Sequence, residues 1–191
     1  MLEKGRIIFD GDVESAIQHY MGMTEATTFP VDFDFTKTKR AYHFGKKIFV
    51  ASARLLQKEN AKYLTSEPIR LQIMMRSMIN LPNAQIIVRI KDSNNTQKIA
   101  AALSEPFAIH ENTDCSVTLQ LASDILTADQ YCISFEVISR DNTGNYYSYD
   151  NPYATIQILV ENAENADIFW STKYWGNVAI QKMPIIEFKE S

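Results

Sequence analysis

Hydrophobic and polar residues alternate one by one over most of the chain after Phe49. The stretch from Asp114 to Leu121 is the clearest example, since every second residue in it is apolar. A period of two places the apolar side chains on one face of a β-strand and the polar ones on the other. Runs of this kind lie at 49–55, 69–76, 85–91, 99–103, 114–121, 131–140 and 156–160, with a last short run at 174–180.

Turn signals separate these runs, as in Leu81-Pro82-Asn83 and in the stretch from Asp141 to Asn145. Short, regularly spaced strands with one apolar and one polar face are typical of two antiparallel sheets that pack face to face. We therefore predict an all-β fold, an antiparallel β-sandwich of immunoglobulin-like or jelly-roll type with about eight strands. A short helix or turn is predicted near 122–128.

The first 22 residues have a different pattern. Arg6 to Phe9 has strand character, Gly11-Asp12 indicates a turn, and apolar residues then recur at helical spacing up to Tyr20. This pattern predicts a short strand followed by a two-turn helix, which is too short to be stable without a packing partner. Residues 23–46 are rich in threonine and show no helical period. We interpret them as a linker that runs extended against the domain formed by residues 47–191.

Composition and charge narrow the possible functions. The chain has 191 residues, of which 46% are hydrophobic, and its net charge of −4 does not favour a nucleic-acid partner. Cys115 and Cys132 lie in apolar runs, so we expect buried free thiols. No signal peptide and no apolar stretch of membrane-spanning length is visible, which favours a cytoplasmic protein.

Sequence motifs for catalysis are missing from the chain. His19, His43 and His110 do not have metal-ligand spacing, and neither a G-x-S-x-G elbow nor a G-x-x-x-x-G-K-[ST] phosphate loop occurs. We expect a protein that is not an enzyme and that uses no metal or cofactor. A glycan-modifying enzyme stays open, because sequence does not reveal a pair of acids that meet in a cleft.

Aromatic residues gather in two stretches, "NTGNYYSYDNPY", which we interpret as lying in and around one loop, and "FWSTKYWGN" near the end of the chain. Aromatic rings can cover the C–H face of a sugar while nearby amides and carboxylates bind its hydroxyl groups. The same rings can instead cap the ends of a sandwich or contact another protein, and both interpretations stay open. These residues are Tyr146, Tyr147, Tyr149, Tyr153, Trp170, Tyr174 and Trp175.

The polar faces of the strands form a second candidate surface. A plain solvated sheet face would show the same pattern, but the guanidinium groups of Arg76 and Arg140 could hold an anionic or heavily hydroxylated ligand. The residues opposite core positions are Gln72, Arg76, Arg89, Ser134, Glu136, Arg140, Thr155 and Gln157.

The opening stretch resembles the last strand and helix of an ABC-transporter ATPase domain. A helix that ends at a tyrosine, here Tyr20, and is followed by a linker and a β-sandwich resembles in particular the ATPase subunits of exporters for O-antigen and related cell-surface polysaccharides. "LPNAQIIVRIKDSNN" and the closing Gly176-Asn177-Val178 also resemble that family, although Asn94-Asn95 stands where the family often has glycine. The matching residues at the start are Lys4, Gly5, Arg6, Ile7, Gly11, Asp12 and Val13.

The resemblance implies that residues 1–22 are the end of an ATPase domain whose ATP-binding motifs lie before Met1. It implies that residues 47–191 bind the lipid-linked polysaccharide for export at the cytoplasmic side of the inner membrane. The implied partners are an O-antigen-type polysaccharide, the transmembrane subunit of the transporter through the full-length ATPase, and a second copy of the chain in a homodimer.

We therefore expect a glycan-binding surface that combines a polar sheet face with flanking aromatic residues. The alternative is a structural module that dimerises the ATPase, or docks it to a membrane partner, and has no glycan site. The predicted glycan contacts are Arg76, Arg89, Glu136 and Arg140 for hydroxyl or anionic groups, and Tyr147 and Trp175 for stacking.

Overall fold

The computed structural model describes residues 2–3, 6–7, 10–11, 28–65, 67–121, 125–141, 143–164 and 172–178. The helix predicted at 13–20, the residues 23–27 of the predicted linker and the residues after 178 lie outside the described residues. Within the described part of the chain, no helix has the length and apolar character of a membrane span.

Strands dominate the described residues. Two of them, β1 (Leu2–Glu3) and β2 (Arg6–Ile7), form a small antiparallel pair near the start of the chain. The others are β3 (Asp32–Asp34), β4 (Ile48–Leu55), β5 (Lys62–Leu64), β6 (Ile69–Ser77), β7 (Leu81–Asp92), β8 (Lys98–Leu103), β9 (Phe107–Ile109), β10 (Thr113–Leu121), β11 (Asp129–Arg140), β12 (Tyr146–Asp150) and β13 (Ile156–Glu161), followed by a short helix, α1 (Thr172–Trp175).

The strands β3 to β13 form two sheets. The smaller sheet has the order β10-β6-β4-β3. The larger sheet has the order β5-β13-β11-β7-β8, with β12 also paired to β11 and β9 also paired to β7. The pairing of β5 with β13 is parallel, and the other described pairs are antiparallel. The all-β sandwich predicted from the alternating pattern is confirmed.

The core lies between the two sheets and is built from the alternating apolar residues of both. Along β6, Leu71, Ile73 and Met75 are buried in turn, while Met74 and Arg76, on either side of Met75, are exposed. On β11 in the other sheet, Ile133 and Phe135 also belong to the core. Burial of apolar area is the main force that holds the sheets together, at about 25 cal/mol per Å².

Residues 28–46, which belong to the predicted linker, are part of the sandwich. Strand β3 pairs with β4 at the edge of the smaller sheet. Phe29 and Phe35 are buried in the core, and the ring of Phe35 meets that of Phe135 edge-on, at 5.6 Å between centroids and 64° between planes. The phenylalanine side chains of this segment therefore pack in the core between the two sheets.

A buried ion pair between Arg40 and Asp150 holds residues 28–46 against the two sheets. The Arg40 Nε donates to Asp150 Oδ1 at 2.8 Å, and the other Asp150 oxygen accepts the backbone N–H of Val50 at 2.7 Å. Arg40 also donates to the carbonyl oxygens of Phe35, Thr38 and Val50. Since β12 carries Asp150 and β4 carries Val50, this cluster links the two sheets through residues 35–40.

Three local predictions need correction or refinement. Tyr174 and Trp175, at the start of the predicted last strand, belong to the helix α1, in which the backbone N–H of Gly176 donates to the carbonyl of Thr172 at 3.1 Å, whereas Val178 of the same run forms an antiparallel bridge with Leu126. The tyrosine-rich stretch interpreted as a loop contains strand β12, which pairs with the end of β11. Cys132 is buried as predicted whereas Cys115 is only half-buried, and burial raises the pKa of both free thiols.

Tyr63 and Tyr131 are both buried, but their hydroxyl groups differ in whether they have a hydrogen-bond partner. The Tyr63 hydroxyl has no hydrogen-bond partner within the described residues, and burial raises its pKa to about 12. The Tyr131 hydroxyl donates to the Thr127 carbonyl at 2.9 Å. An unsatisfied buried polar group costs about 1–3 kcal/mol, whereas a satisfied one contributes about 1 kcal/mol.

We expect Tyr63→Phe to leave the free energy of unfolding unchanged or to raise it by up to about 1 kcal/mol. The matched variant Tyr131→Phe should lower it by about 1–2 kcal/mol, because the Thr127 carbonyl loses its donor. Urea unfolding followed by fluorescence or circular dichroism measures both. A larger loss for Tyr63→Phe than for Tyr131→Phe would contradict this assignment.

Candidate functional site

A polar groove of about 500 Å³ lies on the outer face of the larger sheet. Its floor is formed by β7 and β11, where Arg89 and Ser134 are directly opposite each other in the antiparallel register. The residues that line it are Arg89, Lys91, Asn95, Lys98, Ser134, Glu136, Asn151, Pro152, Tyr153, Ala154 and Thr155.

An ion pair crosses the floor of the groove. Arg89 Nη2 donates to Glu136 Oε2 at 2.5 Å, and the exposed fractions of the two side chains are 21% and 8%. Both charges alternate with core residues along their strands, so the pleat directs them away from the core. Removing either partner of such a shielded pair leaves the other charge uncompensated, which is costly.

One wall of the groove is the connection between β12 and β13, residues 151–155. Both strands pair with the same side of β11, β12 with its end and β13 with its beginning. The connection therefore stays beside the middle of β11, next to Ser134 and Glu136. The Tyr153 N–H donates to the carbonyl of Lys39, and the Tyr153 side chain is 61% exposed at the rim.

The other wall is the hairpin between β7 and β8. The Asp92 carboxylate accepts hydrogen bonds from the Thr96 hydroxyl and from the backbone N–H groups of Thr96 and Gln97. These bonds hold the pKa of Asp92 below its usual range. Asn95 adopts φ of 59°, and its Oδ1 accepts from Lys91 Nζ at 2.8 Å. The turn thus holds the side-chain amide of Asn95 and the ammonium group of Lys91 in place.

The structure brings Arg89 and Glu136 together but places the other predicted contacts elsewhere. Arg140 is on the same face of β11 as Glu136, about 13 Å further along the strand, and does not line the groove. Tyr147 is exposed on β12, opposite Ser139.

Arg76 lies on a different surface. It is on the outer face of the smaller sheet, where it donates twice to the Asp114 carboxylate, at 2.7 and 3.0 Å. Arg76 and Arg89 therefore cannot contact one small ligand together, because the core separates their two sheets. Trp175 belongs to α1, and its side chain is outside the described part of the structure.

Sequence reasoning missed Lys91, Asn95 and Lys98 as site residues. The signal for Lys91 was present, because it follows Arg89 by two positions and so shares its face of β7. Lys98 lies across the hairpin from Lys91, and that register is set by the length of the turn. The wall at 151–155 was predicted only in part, through Tyr153 among the aromatic residues and Thr155 among the polar-face residues, since its position depends on β12 and β13 sharing one partner strand.

The groove offers hydrogen-bonding and cationic groups. Among the described residues that line it, Glu136 is the single carboxylate, whereas glycoside hydrolysis uses two. The described residues contain no group of three or more His, Cys, Asp or Glu side chains that could hold a metal ion. The groups the groove does offer are hydrogen-bond donors and acceptors, cations, and the rim ring of Tyr153.

Comparison with solved structures identifies the architecture around this groove. The crystal structure of the C-terminal domain of Wzt superposes with a TM-score of 0.59, over 82% of this chain and 90% of that one. The chain has the fold of the Wzt C-terminal domain. Sequence identity to Wzt over the match is 12%, so the likeness is one of fold. No protein-family model and no curated protein matches the chain.

Proposed function

We propose that this chain is a non-catalytic carbohydrate-binding domain that holds an O-antigen-type polysaccharide for export by an ABC transporter. The observation that carries the proposal is the groove on the outer face of the larger sheet, in a chain with the fold of the Wzt C-terminal domain. The resemblance of residues 1–22 to the end of an ABC ATPase domain supports the link to transport. The protein would then work at the cytoplasmic side of the membrane, with the transporter.

The groove suits a sugar in size and in chemistry. Its volume of about 500 Å³ is within the range typical of small-ligand sites. Ser134, Asn151 and Thr155 offer groups that exchange hydrogen bonds with hydroxyls, and the exposed ring of Tyr153 offers a face for sugar C–H groups. Such shallow contacts give weak binding at a single site. A homodimer would present two grooves and raise the effective affinity for a long polysaccharide.

Titration of the 191-residue chain with polysaccharide tests the proposal. The ligand is delipidated cell-surface polysaccharide from the strain that carries this gene, and the readout is the set of amide resonances in a two-dimensional NMR spectrum. We expect shifts to concentrate in β7, β11 and residues 151–155. Arg89→Ala should weaken binding about tenfold or more, since it removes a donor and leaves Glu136 unpaired.

Arg76→Ala is the matched control, because it removes an arginine from an ion pair on the opposite sheet. It should change the affinity by less than twofold. Tyr153→Ala serves as a second groove variant that leaves the Arg89–Glu136 pair intact, and it should weaken binding about fivefold. Equal losses for Arg76→Ala and Arg89→Ala, or the absence of any shift, would contradict the proposal and favour the dimerisation or docking module.

A further inference from the structure

The groove is rich in positive charge in a chain that is acidic overall. Three of its lining residues, Arg89, Lys91 and Lys98, are cationic, against the single carboxylate of Glu136. The chain as a whole carries a net charge of −4. Cations are therefore concentrated at a concave part of the surface of the larger sheet, and a concave site focuses the field that attracts an oppositely charged ligand.

The two lysines face each other across the hairpin. Lys91 and Lys98 are direct partners in the antiparallel register of β7 and β8. Like charges at directly opposite positions destabilise a sheet. Such a pair is therefore a cost to the fold, and an anion bound between the two ammonium groups would offset that cost.

The nearby carboxylates do not form ion pairs with these lysines. Glu136 is engaged with Arg89 at 2.5 Å, and Asp92 is held within the turn by Thr96 and Gln97. Within the described residues, neither lysine forms an ion pair, and the one hydrogen bond of Lys91 goes to the neutral amide of Asn95. Two positive charges beside the floor are thus left for a ligand.

We infer that the groove selects a glycan that carries an anionic group, with Lys91 and Lys98 binding that group. The inference rests on the proposed carbohydrate-binding function and names the class of its ligand. The shared chemistry is a carboxylate, as in an acidic sugar, or a phosphate substituent. Lysine ammonium groups are compact charges on flexible chains, so they accept either shape. The sugar ring would lie toward Ser134 and Tyr153.

Four small probes separate the possibilities: glucose, glucuronate, glucose 6-phosphate and inorganic phosphate. Each is titrated into the 191-residue chain at low salt, and amide shifts give the affinity. We expect glucuronate and glucose 6-phosphate to bind at least about tenfold more tightly than glucose, with shifts at 89–98 and 151–155. Raising the salt concentration should weaken both. The stronger of the two identifies the source of the anionic group.

Charge variants test the residues. Lys98→Gln should weaken glucuronate binding about fivefold, because it removes one of the two facing charges. Glu136→Gln should strengthen it about fivefold, because it removes the one carboxylate among the described residues that line the groove. If the groove instead held a neutral sugar through the carboxylate, Glu136→Gln would weaken binding. Arg54→Gln removes an exposed positive charge from the smaller sheet and is the matched control, expected to change affinity by less than twofold.

The inference is overturned if glucose binds as well as glucuronate and glucose 6-phosphate, if neither anionic sugar binds, or if Lys98→Gln has no effect. Inorganic phosphate that binds as tightly as glucose 6-phosphate also counts against it, because the sugar would then contribute nothing. These results differ from failure of the proposed function. Polysaccharide bound in the groove without preference for anionic sugars contradicts the inference alone, whereas no polysaccharide binding contradicts the proposed function.

Discussion

Asp150→Ala is expected to lower the free energy of unfolding by about 3–5 kcal/mol. The carboxylate is fully buried, and it accepts from Arg40 and from the backbone N–H of Val50. Its removal leaves the guanidinium of Arg40, whose side chain is only 9% exposed, without a counter-ion in a shielded environment. Of the ion pairs among the described residues, this one has the least exposure, so its disruption should have the largest effect.

Chemical unfolding in urea measures the change, and Asp114→Ala provides the control. Asp114 also pairs with an arginine, at 2.7 Å, but both side chains are more than half exposed. Exposed pairs contribute about 0–1 kcal/mol, so the control should be nearly neutral. Similar losses for the two variants would show that Asp150 does not act through burial of the charge pair.

Phe35→Ala is expected to cost about 3–5 kcal/mol of the free energy of unfolding. Phe35 is 3% exposed and packs against Phe33 and Phe135. Its removal leaves a cavity between the two sheets, which the β-sheet backbone cannot easily close. The residue lies in the segment predicted as a linker, so the size of this loss measures how far that segment belongs to the folded domain.

Tyr42→Ala is the matched control within the same segment. Tyr42 is 88% exposed, and its ring contacts the ammonium of Lys46. An exposed cation–π contact contributes about 0.5–1 kcal/mol, so this variant should change stability little. The midpoint of urea unfolding compares the two variants. A loss below about 1 kcal/mol for Phe35→Ala would mean that residues 28–46 only rest on the sandwich.

Sequence patterns predicted a strand well where one of its faces is buried and the other is exposed to solvent. Strand β10 is the simplest case, since Cys115, Val117 and Leu119 point inward and their neighbours are exposed. The short strands β3, β5, β9 and β12 were missed. Each has three to five residues, which is too few for an alternation to stand out, and their structure is set by the longer strands with which they pair.

The candidate site was predicted only in part, for a physical reason. Alternation correctly placed Arg89 and Glu136 on polar faces, but it could not say that β7 and β11 are neighbours while β6, with Arg76, belongs to the other sheet. Strand order is decided by long-range pairing, which leaves no local signal in the sequence. The same holds for Asp150, a charged residue in a tyrosine-rich stretch whose partner, Arg40, is 110 positions away.

The floor and the walls of the groove differ in how freely they could evolve. Each floor residue sits between two core residues on its strand, so an insertion or deletion in β7 or β11 would turn Glu136 or Arg89 into the core. The connection at 151–155 carries no such penalty, since loops tolerate changes in length and composition. The turn at 93–97 tolerates changes in composition, provided that its length keeps the register of β7 and β8. Under the proposed function, related chains would recognise different glycans by exchanging these two segments, while the sandwich beneath them stays the same.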